Sequence, residues 1–327
     1  MSSDDTTLSV RDLKTYFYTK AGVAKAVDGV SFDVKRGEIM GLVGESGSGK
    51  SVTGFSVIGL VDPPGEIAGG EILYKGRNLV GMSEDEMQKL RGNRIAMIFQ
   101  DPMMTLNPVL RIDTQMIETV LAHQKMDREA ARQLARDALG QVGIPSPDER
   151  LRSYPHQFSG GMRQRVAIAI ALLNKPELII ADEPTTALDV TIQGQILYET
   201  QKLCRETGTS LIWITHDLAV IAGLADRVCV MYAGRIVEQG VVDEVLDKPA
   251  HPYTHGLIGS VPSHNRRGER LFQIPGMTPS LFNLPEGCSF KTRCPRADGA
   301  CDSNPEIETL DTGREIRCFH PHLESAA

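Results

Sequence analysis

The stretch "GESGSGKS" occupies residues 44–51, where it follows the apolar run "EIMGLV" and opens a segment of helical character. Its glycines let the backbone curl, so successive amide N–H groups can point inward at phosphate oxygens, and the helix N-terminus adds partial positive charge. The pattern predicts a nucleotide-binding phosphate loop, in which Lys50 reaches the β- and γ-phosphates and the Ser51 hydroxyl binds magnesium. The predicted nucleotide contacts are Gly44, Ser46, Gly47, Ser48, Gly49, Lys50, Ser51 and Val52.

A second motif, "ELIIADEP" at residues 177–184, supplies the acids that phosphoryl chemistry needs. Its apolar residues predict a buried strand that carries Asp182 to its C-terminal end, where a carboxylate can hold magnesium directly or through water. Glu183 follows at once and is placed to polarise a water molecule that attacks the γ-phosphate. The two motifs together predict a site that hydrolyses a nucleotide.

Composition narrows the class of protein. The chain has 327 residues, 41% of them hydrophobic, and a formal net charge of -7 at pH 7. This length predicts one large domain with an appendage, and the negative charge argues against a protein that wraps nucleic acid. The acidic N-terminus lacks the order of a secretory signal, and the longest apolar run, "VAIAIALL", is far shorter than the ~20 residues of a membrane span. We therefore expect a cytosolic chain whose membrane role is peripheral.

The order of strand and helix signals predicts an α/β protein. β-branched runs broken by glycine predict strands from about residue 8 to residue 74, and helical periodicity marks an insertion at residues 112–142. A helix that Ser159 can cap and that Pro176 ends leads into alternating strands and helices, which indicates a mostly parallel sheet. From about residue 251 the chain is rich in proline, glycine and basic residues, so we expect a loop-rich extension.

The stretch "FSGGM" at residues 158–162, which runs into "RQR", resembles the signature motif of ABC transporter ATPases, and the resemblance covers nearly the whole chain. It implies an ABC-type P-loop ATPase core, in which a RecA-like parallel sheet is joined by an antiparallel β part. The ATPase domain would span residues 1–250, with a helical subdomain at about residues 101–160. A loop-rich, cysteine-containing extension would follow at residues 251–327.

The resemblance also implies an active site shared between two subunits. In the family, the signature forms an anion-binding cap at a helix N-terminus, which closes over the γ-phosphate bound to the opposite subunit. Here the cap would consist of Ser159, Gly160 and Gly161, and Asp189 resembles the loop that crosses the dimer interface. We therefore expect a dimer of ATPase subunits.

Two further polar residues resemble family residues at the γ-phosphate. Gln100, which ends "RIAMIFQ", resembles the residue that touches magnesium or the attacking water, and His216, which ends "SLIWITH", resembles the histidine that contacts the γ-phosphate. With Glu183 they form the expected catalytic set. The magnesium ligands implied by the resemblance are Ser51, Gln100 and Asp182.

An aromatic residue near the N-terminus completes the expected ATP site. Phe17, within "TYFYTK", resembles the residue on which adenine stacks in the family. Tyr16 and Tyr18 compete for that role.

Two stretches resemble the importers of dipeptides, oligopeptides and nickel: "QDPMMTLNPVL" from Gln100 onward and "HPYTHGLIGSVP" at residues 251–262. ATPases of that group form nonidentical pairs, and Met162 in the signature resembles the D-type partner, whereas the F-type has glutamine there. The resemblance implies a heterodimer with an F-type ATPase, two membrane permeases and an extracytoplasmic solute-binding protein. The chain would be peripheral on the cytoplasmic face of the inner membrane. Dipeptide, oligopeptide, nickel chelate, glutathione and sugar all stay open as the cargo.

Four of the six cysteines lie in the extension, with five, six and sixteen residues between them: Cys288, Cys294, Cys301 and Cys318. In a reducing cytosol such a set indicates metal ligands or redox groups before disulfides. Four thiolates can complete a tetrahedral zinc site or hold a four-iron cluster. The family resemblance favours a structural 4Fe–4S cluster, with zinc and unligated or disulfide-bonded thiols as the alternatives. Cys204 and Cys229 lie in apolar patterns, so we expect them in the core.

A soluble ABC ATPase that acts on nucleic acid or ribosomes is the alternative function. Such proteins commonly carry two cassettes or a long coiled-coil insertion, and this sequence has one cassette and no such insertion. An inactive regulatory partner is a further alternative, which the presence of Glu183 and His216 disfavours. We expect ATP hydrolysis coupled to peptide import, without a nucleic-acid partner.

Overall fold

The computed structural model of the chain describes residues 5–185, 190–261 and 273–322. The strands are β1 (Thr6–Thr19), β2 (Gly22–Lys35), β3 (Ile39–Val43), β4 (Gly65–Tyr74), β5 (Arg77–Asn78), β6 (Ile95–Ile98), β7 (Leu178–Asp182), β8 (Ser210–Thr215), β9 (Arg227–Tyr232), β10 (Arg235–Val241), β11 (Glu308–Thr309) and β12 (Glu315–Ile316). The α-helices are α1 (Lys50–Val57), α2 (Glu84–Leu90), α3 (Ile112–Leu121), α4 (Arg128–Gln141), α5 (Pro147–Leu151), α6 (Gly160–Leu172), α7 (Val190–Thr207), α8 (Leu218–Leu224), α9 (Val242–Asp247) and α10 (Pro252–Gly259).

The chain divides into two units, each built from several segments. The first contains the described parts of Met1–Thr7, Val34–Ile39 and Gly81–Trp213. The second contains the described parts of Leu8–Asp33, Met40–Val80 and Ile214–Ala327.

In the first unit, β6 and β7 form a parallel pair. Ile95 lies opposite Leu178 and Ile98 lies opposite Ala181. All five residues of β7 are buried, as expected for a strand covered on both faces. This strand ends at Asp182, so the acidic motif emerges at the carboxyl end of a parallel strand.

Helices α3 to α6 of the first unit enclose an apolar core of their own. Their inward positions follow helical spacing, as Ile112, Met116 and Val120 of α3 show, and all three side chains are fully buried. The helical insertion expected from the sequence thus contains α3 and α4. Helix α6 ends at Leu172, four residues before Pro176, and Lys175 adopts a positive φ of 50° in the turn between them.

In the second unit, parallel and antiparallel strands meet. β3 pairs in parallel with β9, and β9 pairs antiparallel with β10. A separate four-stranded sheet has the order β2-β1-β4-β5, and β1 runs antiparallel to β4. The α/β class with an added antiparallel part is confirmed.

The C-terminal region contributes α10, β11 and β12 to the second unit. β12 pairs antiparallel with β10, and Glu238 and Gln239 of β10 lie opposite Ile316 and Glu315. The buried Glu238 carboxylate also accepts the backbone N–H groups of Ala250 and His251, each at 2.9 Å. A domain boundary at residue 250 stays a prediction, and these hydrogen bonds cross it.

None of the helices in the described ranges is long and apolar enough to span a bilayer.

Truncation of a core leucine tests the helical core of the first unit. Leu139 of α4 is fully buried, and Leu139→Ala is expected to lower the free energy of unfolding by about 2–5 kcal/mol, because it removes apolar contacts and leaves a cavity. Leu134, on the same helix, is 37% exposed, and Leu134→Ala should cost less than about 1 kcal/mol. Urea unfolding followed by circular dichroism would measure both. Equal losses would contradict the assigned core face.

Candidate functional site

The phosphate loop joins β3 to α1. β3 is buried along its whole length, and α1 begins at Lys50 directly after Gly49, whose φ is 103°. A Cβ atom on Gly44 would overlap the Met231 carbonyl oxygen, and one on Gly49 would overlap the Ala26 carbonyl oxygen. Glycine at both positions is therefore a steric requirement, because the loop backbone packs directly against neighbouring backbone.

Two side chains of the loop are available for phosphate oxygens. Lys50 is 5% exposed, and its Nζ donates to the carbonyl oxygens of Gly44 at 2.8 Å and Glu45 at 3.0 Å. The buried Ser48 hydroxyl has no hydrogen-bond partner within the described residues. A buried polar group without a partner is costly, so a phosphate oxygen would satisfy it.

The acids of the second motif lie at the end of β7. Asp182 is 3% exposed, and Glu183 comes next with a positive φ of 44°. The Gln100 side-chain amide donates to Glu183 Oε2 at 3.3 Å. The sequence predicted roles for both residues and did not predict this contact. Asp182 and the Ser51 hydroxyl are hard oxygen donors, the kind of ligand that magnesium prefers.

The signature stretch begins α6. The Ser159 side chain caps the helix by accepting the Met162 backbone N–H at 3.3 Å. Ser159 and Gly160 are exposed, and nothing lies within 4 Å of where a Cβ on Gly160 would be. This helix N-terminus therefore presents its amides to solvent, where an anion can reach them. Asp189, predicted to cross a dimer interface, lies outside the described residues.

His216 and the N-terminal aromatics are part of the second unit. His216 is exposed directly after β8, and Asp217 caps α8 by accepting the Ala219 N–H at 2.9 Å. Phe17 is half-buried, and its ring lies so close to Gly65 that a Cβ there would meet it. The roles of His216 and Phe17 in nucleotide binding stay predictions.

The two tyrosines that compete with Phe17 differ in what they contact. The Tyr16 hydroxyl donates to Asp28 at 2.6 Å, and burial together with this hydrogen bond raises the tyrosine pKa. Tyr18 is 46% exposed. Because Tyr16 is engaged with Asp28, Phe17 and Tyr18 are the better candidates for stacking on a base.

The "HPY" stretch that the sequence singled out contacts the phosphate loop. His251 is buried, and its Nδ1 accepts the Tyr253 backbone N–H at 3.0 Å, so the histidine caps α10. Burial lowers the pKa of His251 to about 3, which keeps the ring neutral. The Tyr253 hydroxyl accepts the Glu45 backbone N–H at 2.9 Å. The two residues are 208 positions apart, so sequence spacing could not reveal this contact.

The four cysteines of the extension come close together in the second unit. The Cys288 backbone N–H donates to the Cys301 carbonyl oxygen at 3.0 Å. Burial, with a smaller contribution from the charges of the other three thiolates, raises the pKa of Cys318 to about 11. Burial also raises the pKa of Cys288 and Cys294. A bound cation would relieve this repulsion between thiolates, so the donor chemistry fits a metal group.

The spacing of the sulfur atoms bears on which group would fit. Four thiolates around one zinc ion at 2.3 Å would place their sulfurs roughly 3.8 Å apart. Within the described residues, the ligand atoms that do lie within 4.8 Å of one another include one of these sulfurs, that of Cys301.

A second group of potential metal ligands shares Cys301. Ligand atoms of Asp298, Cys301 and His320 all lie within 4.8 Å of one another. His320 Nε2 lies 2.8 Å from Asp298 Oδ1. Sequence reasoning missed Asp298 and His320, although His320 stands two residues after Cys318. Cys204 and Cys229 are buried as expected.

Alanine substitutions at two loop glycines test whether close packing or backbone strain makes glycine necessary there. Gly49→Ala should weaken binding of a fluorescent ATP analogue on the order of 100-fold, because the overlap with Ala26 must displace the loop. Gly47 also has a positive φ, 78°, but nothing lies within 4 Å of its Cβ position. Gly47→Ala should therefore cost only the left-handed strain, about tenfold or less. Equal losses in a fluorescence titration would contradict the packing argument.

Comparison with protein families gives two matches along the chain. The family described as "ABC transporter" matches residues 27–186. The family described as "Oligopeptide/dipeptide transporter, C-terminal region" matches residues 237–301.

Several relatives resemble the chain over most of their length. The oligopeptide transport ATP-binding protein OppD of Escherichia coli is 47% identical over 317 residues, which is 97% of this chain and 94% of the relative. The oligopeptide transport ATP-binding protein AppD of Bacillus subtilis is 48% identical, over 98% of each chain. The dipeptide transport ATP-binding protein DppD of Bacillus subtilis is 52% identical, over 90% of this chain and 88% of the relative.

A solved structure agrees on the fold. The dimeric structure of MJ0796, a bacterial ABC transporter cassette, matches with a TM-score of 0.66 and 27% identity, covering 72% of this chain and 98% of that chain. The chain therefore belongs to the ABC transporter ATP-binding proteins of the oligopeptide and dipeptide transport type.

Proposed function

We propose that this chain is the ATP-binding and ATP-hydrolysing subunit that powers peptide import by an ABC transporter. One observation carries the proposal: the same chain has a sterically constrained phosphate loop and a motif with the acids that hydrolysis needs. In that motif Asp182 is buried, and the next residue, Glu183, accepts a hydrogen bond from Gln100. The peptide cargo is supported by the oligopeptide and dipeptide transport names of its relatives. Cargo contacts would lie on other subunits.

In this proposal each loop residue has a distinct task in binding ATP. The amides of residues 44–51 bind phosphate oxygens, and the Lys50 ammonium exchanges the Gly44 and Glu45 carbonyls for them. Ser51, Asp182 and Gln100 would hold magnesium, which would neutralise phosphate charge. Phe17 stacks on the base.

Hydrolysis would depend on Glu183. Its carboxylate orients the attacking water, and the hydrogen bond from Gln100 restrains that carboxylate. His216 contacts the γ-phosphate. The positive φ of Glu183 is consistent with a residue held in a strained conformation at a reactive site.

The signature residues would act on a partner subunit. The exposed N-terminus of α6, with Ser159, Gly160 and Gly161, would close over ATP bound to a second ATPase, and Asp189 would cross the same interface. Met162 supports a D-type subunit that pairs with an F-type ATPase. The pair would sit on two permeases at the cytoplasmic face of the inner membrane and receive peptide from a solute-binding protein.

We also propose that Cys288, Cys294, Cys301 and Cys318 hold a 4Fe–4S cluster. Four free cysteines in one loop-rich region, with the Cys288 backbone N–H bonded to the Cys301 carbonyl oxygen, support a group that takes four thiolate ligands. When bound, the cluster would cross-link a loop-rich region that has few apolar residues of its own. Zinc on Asp298, Cys301 and His320 is the competing arrangement.

Removal of the catalytic carboxylate tests the ATPase mechanism. Glu183→Gln should retain binding of ATP and lower the hydrolysis rate by about 100-fold or more, because the amide cannot accept a proton from water. The measurement is phosphate release by the assembled transporter, beside a nucleotide titration.

A second acid of the same motif provides the control. Glu177 lies at the start of the motif and forms a surface ion pair with Arg94 at 3.2 Å. Glu177→Gln should change the hydrolysis rate less than about twofold, since exposed ion pairs contribute little. Near-normal hydrolysis by Glu183→Gln would contradict the assigned role.

Purification without oxygen tests the cluster. The chain should contain iron and sulfide and absorb broadly near about 400 nm. Cys294→Ser should lose this absorbance, whereas Cys204→Ala, at a buried cysteine outside the set, should keep it. Stoichiometric zinc without iron would contradict the cluster and favour the competing arrangement.

A further inference from the structure

An ion pair joins the phosphate loop to the cysteine-containing region. Arg293 Nη1 donates to Glu45 Oε2 at 2.6 Å, and Nη2 donates to Glu45 Oε1 at 3.0 Å. Glu45 is the second residue of the phosphate loop, and Arg293 directly precedes Cys294. The Arg293 side chain is only 4% exposed and that of Glu45 is 28% exposed. This is a two-pronged, largely desolvated pair, the geometry in which an arginine fixes a carboxylate most firmly.

Residues outside the phosphate loop also hold the Arg293 side chain in place. Its Nε donates to the Pro275 carbonyl oxygen at 2.9 Å, and its guanidinium lies 5.7 Å from the Tyr232 ring centre. The Thr278 hydroxyl donates to the same Glu45 oxygen at 2.8 Å. The side chains of two residues after position 272, Thr278 and Arg293, therefore converge on one carboxylate.

The backbone of Glu45 is held from the same side. Its N–H donates to the Tyr253 hydroxyl, and Tyr253 is fully buried. The Tyr253 ring packs on Tyr232 with ring centres 4.7 Å apart and on Phe290 at 5.4 Å. Both the amide and the side chain of Glu45 thus depend on residues beyond the phosphate loop itself.

The position of Glu45 also affects the position of Lys50, the phosphate-binding lysine. The Glu45 carbonyl oxygen is one of the two that accept from Lys50 Nζ. A glycine-rich loop that is ordered before ligand arrives avoids the entropic cost of ordering it during binding. A shift of Glu45 would move the lysine and the neighbouring amides together.

We propose that Arg293 is a positioning residue for the phosphate loop, so that the C-terminal region sets nucleotide affinity by holding Glu45. This inference rests on the proposed function, because it requires that the loop bind ATP. In this role Arg293 acts on the loop and not on the nucleotide directly. Its effect on binding passes through Glu45 to Lys50 and the loop amides.

Nucleotide titration of the full-length chain is the test, with a fluorescent ATP analogue and magnesium as the probe. Arg293→Ala should raise the Kd about tenfold, because it removes both hydrogen bonds to a half-buried carboxylate. Arg293→Lys keeps the positive charge but cannot form the two parallel hydrogen bonds of the guanidinium, so the Kd should rise only about threefold. The melting temperature without nucleotide, measured in parallel, reports any purely structural loss.

A double-substitution cycle shows whether the effect passes through Glu45. Glu45→Gln should also weaken binding, and the variant with both Glu45→Gln and Arg293→Ala should bind no more than about twofold more weakly than the worse single variant. Lys291→Ala is the matched control, because it breaks an ion pair with Asp302 in the same region that does not involve the loop. Its Kd should stay within about twofold of the starting protein.

The possible results separate the two proposals. Failure of the unsubstituted chain to bind the analogue would overturn the proposed function. Normal binding by that chain together with an unchanged Kd for Arg293→Ala would overturn only the positioning role. Fully additive effects of the two substitutions would also overturn it, as would a lowered melting temperature with normal affinity. If Arg293→Ala does not fold, the Kd of Arg293→Lys decides the question.

Discussion

The close packing of backbone around two loop glycines is the constraint on which the nucleotide site depends. Gly44 lies against the Met231 carbonyl of β9, and Gly49 lies against the Ala26 carbonyl of β2. No side chain fits at either contact, so the curled loop is tied to strands from two different sheets of the second unit. The amide groups and Lys50 can face a phosphate only because this contact holds the loop in shape.

Local motifs could be predicted from the sequence because their chemistry lies within a few residues. The residues next to them in the sequence indicate the roles of the loop glycines, of Asp182 at the end of β7 and of Ser159 at the start of α6. The Glu45–Arg293 pair could not be predicted, since its partners are 248 positions apart and nothing in either motif points to the other. The same holds for Asp298 and His320, which only folding brings beside Cys301.

The C-terminal region has little regular structure, and aromatic and polar contacts replace it. Phe290 meets the rings of Tyr232 and Tyr253 nearly edge-on, at 5.2 and 5.4 Å. Such edge-to-face contacts contribute beyond the burial of area alone. Glu238, buried on β10, binds the backbone where α10 is about to begin. The composition of the C-terminal region predicted its loops, but only the fold shows which residues those loops contact.

The pairing of β12 with β10 has a consequence for anyone who wishes to isolate the cassette. A chain shortened to residue 250 would lack β12 and would leave Glu238 and Gln239 on an uncovered strand edge. Uncovered edges are templates for association with other chains. The shortened protein would also leave the Glu45 carboxylate and amide without Arg293 and Tyr253. The minimal soluble fragment of this ATPase is therefore longer than its nucleotide-binding motifs suggest.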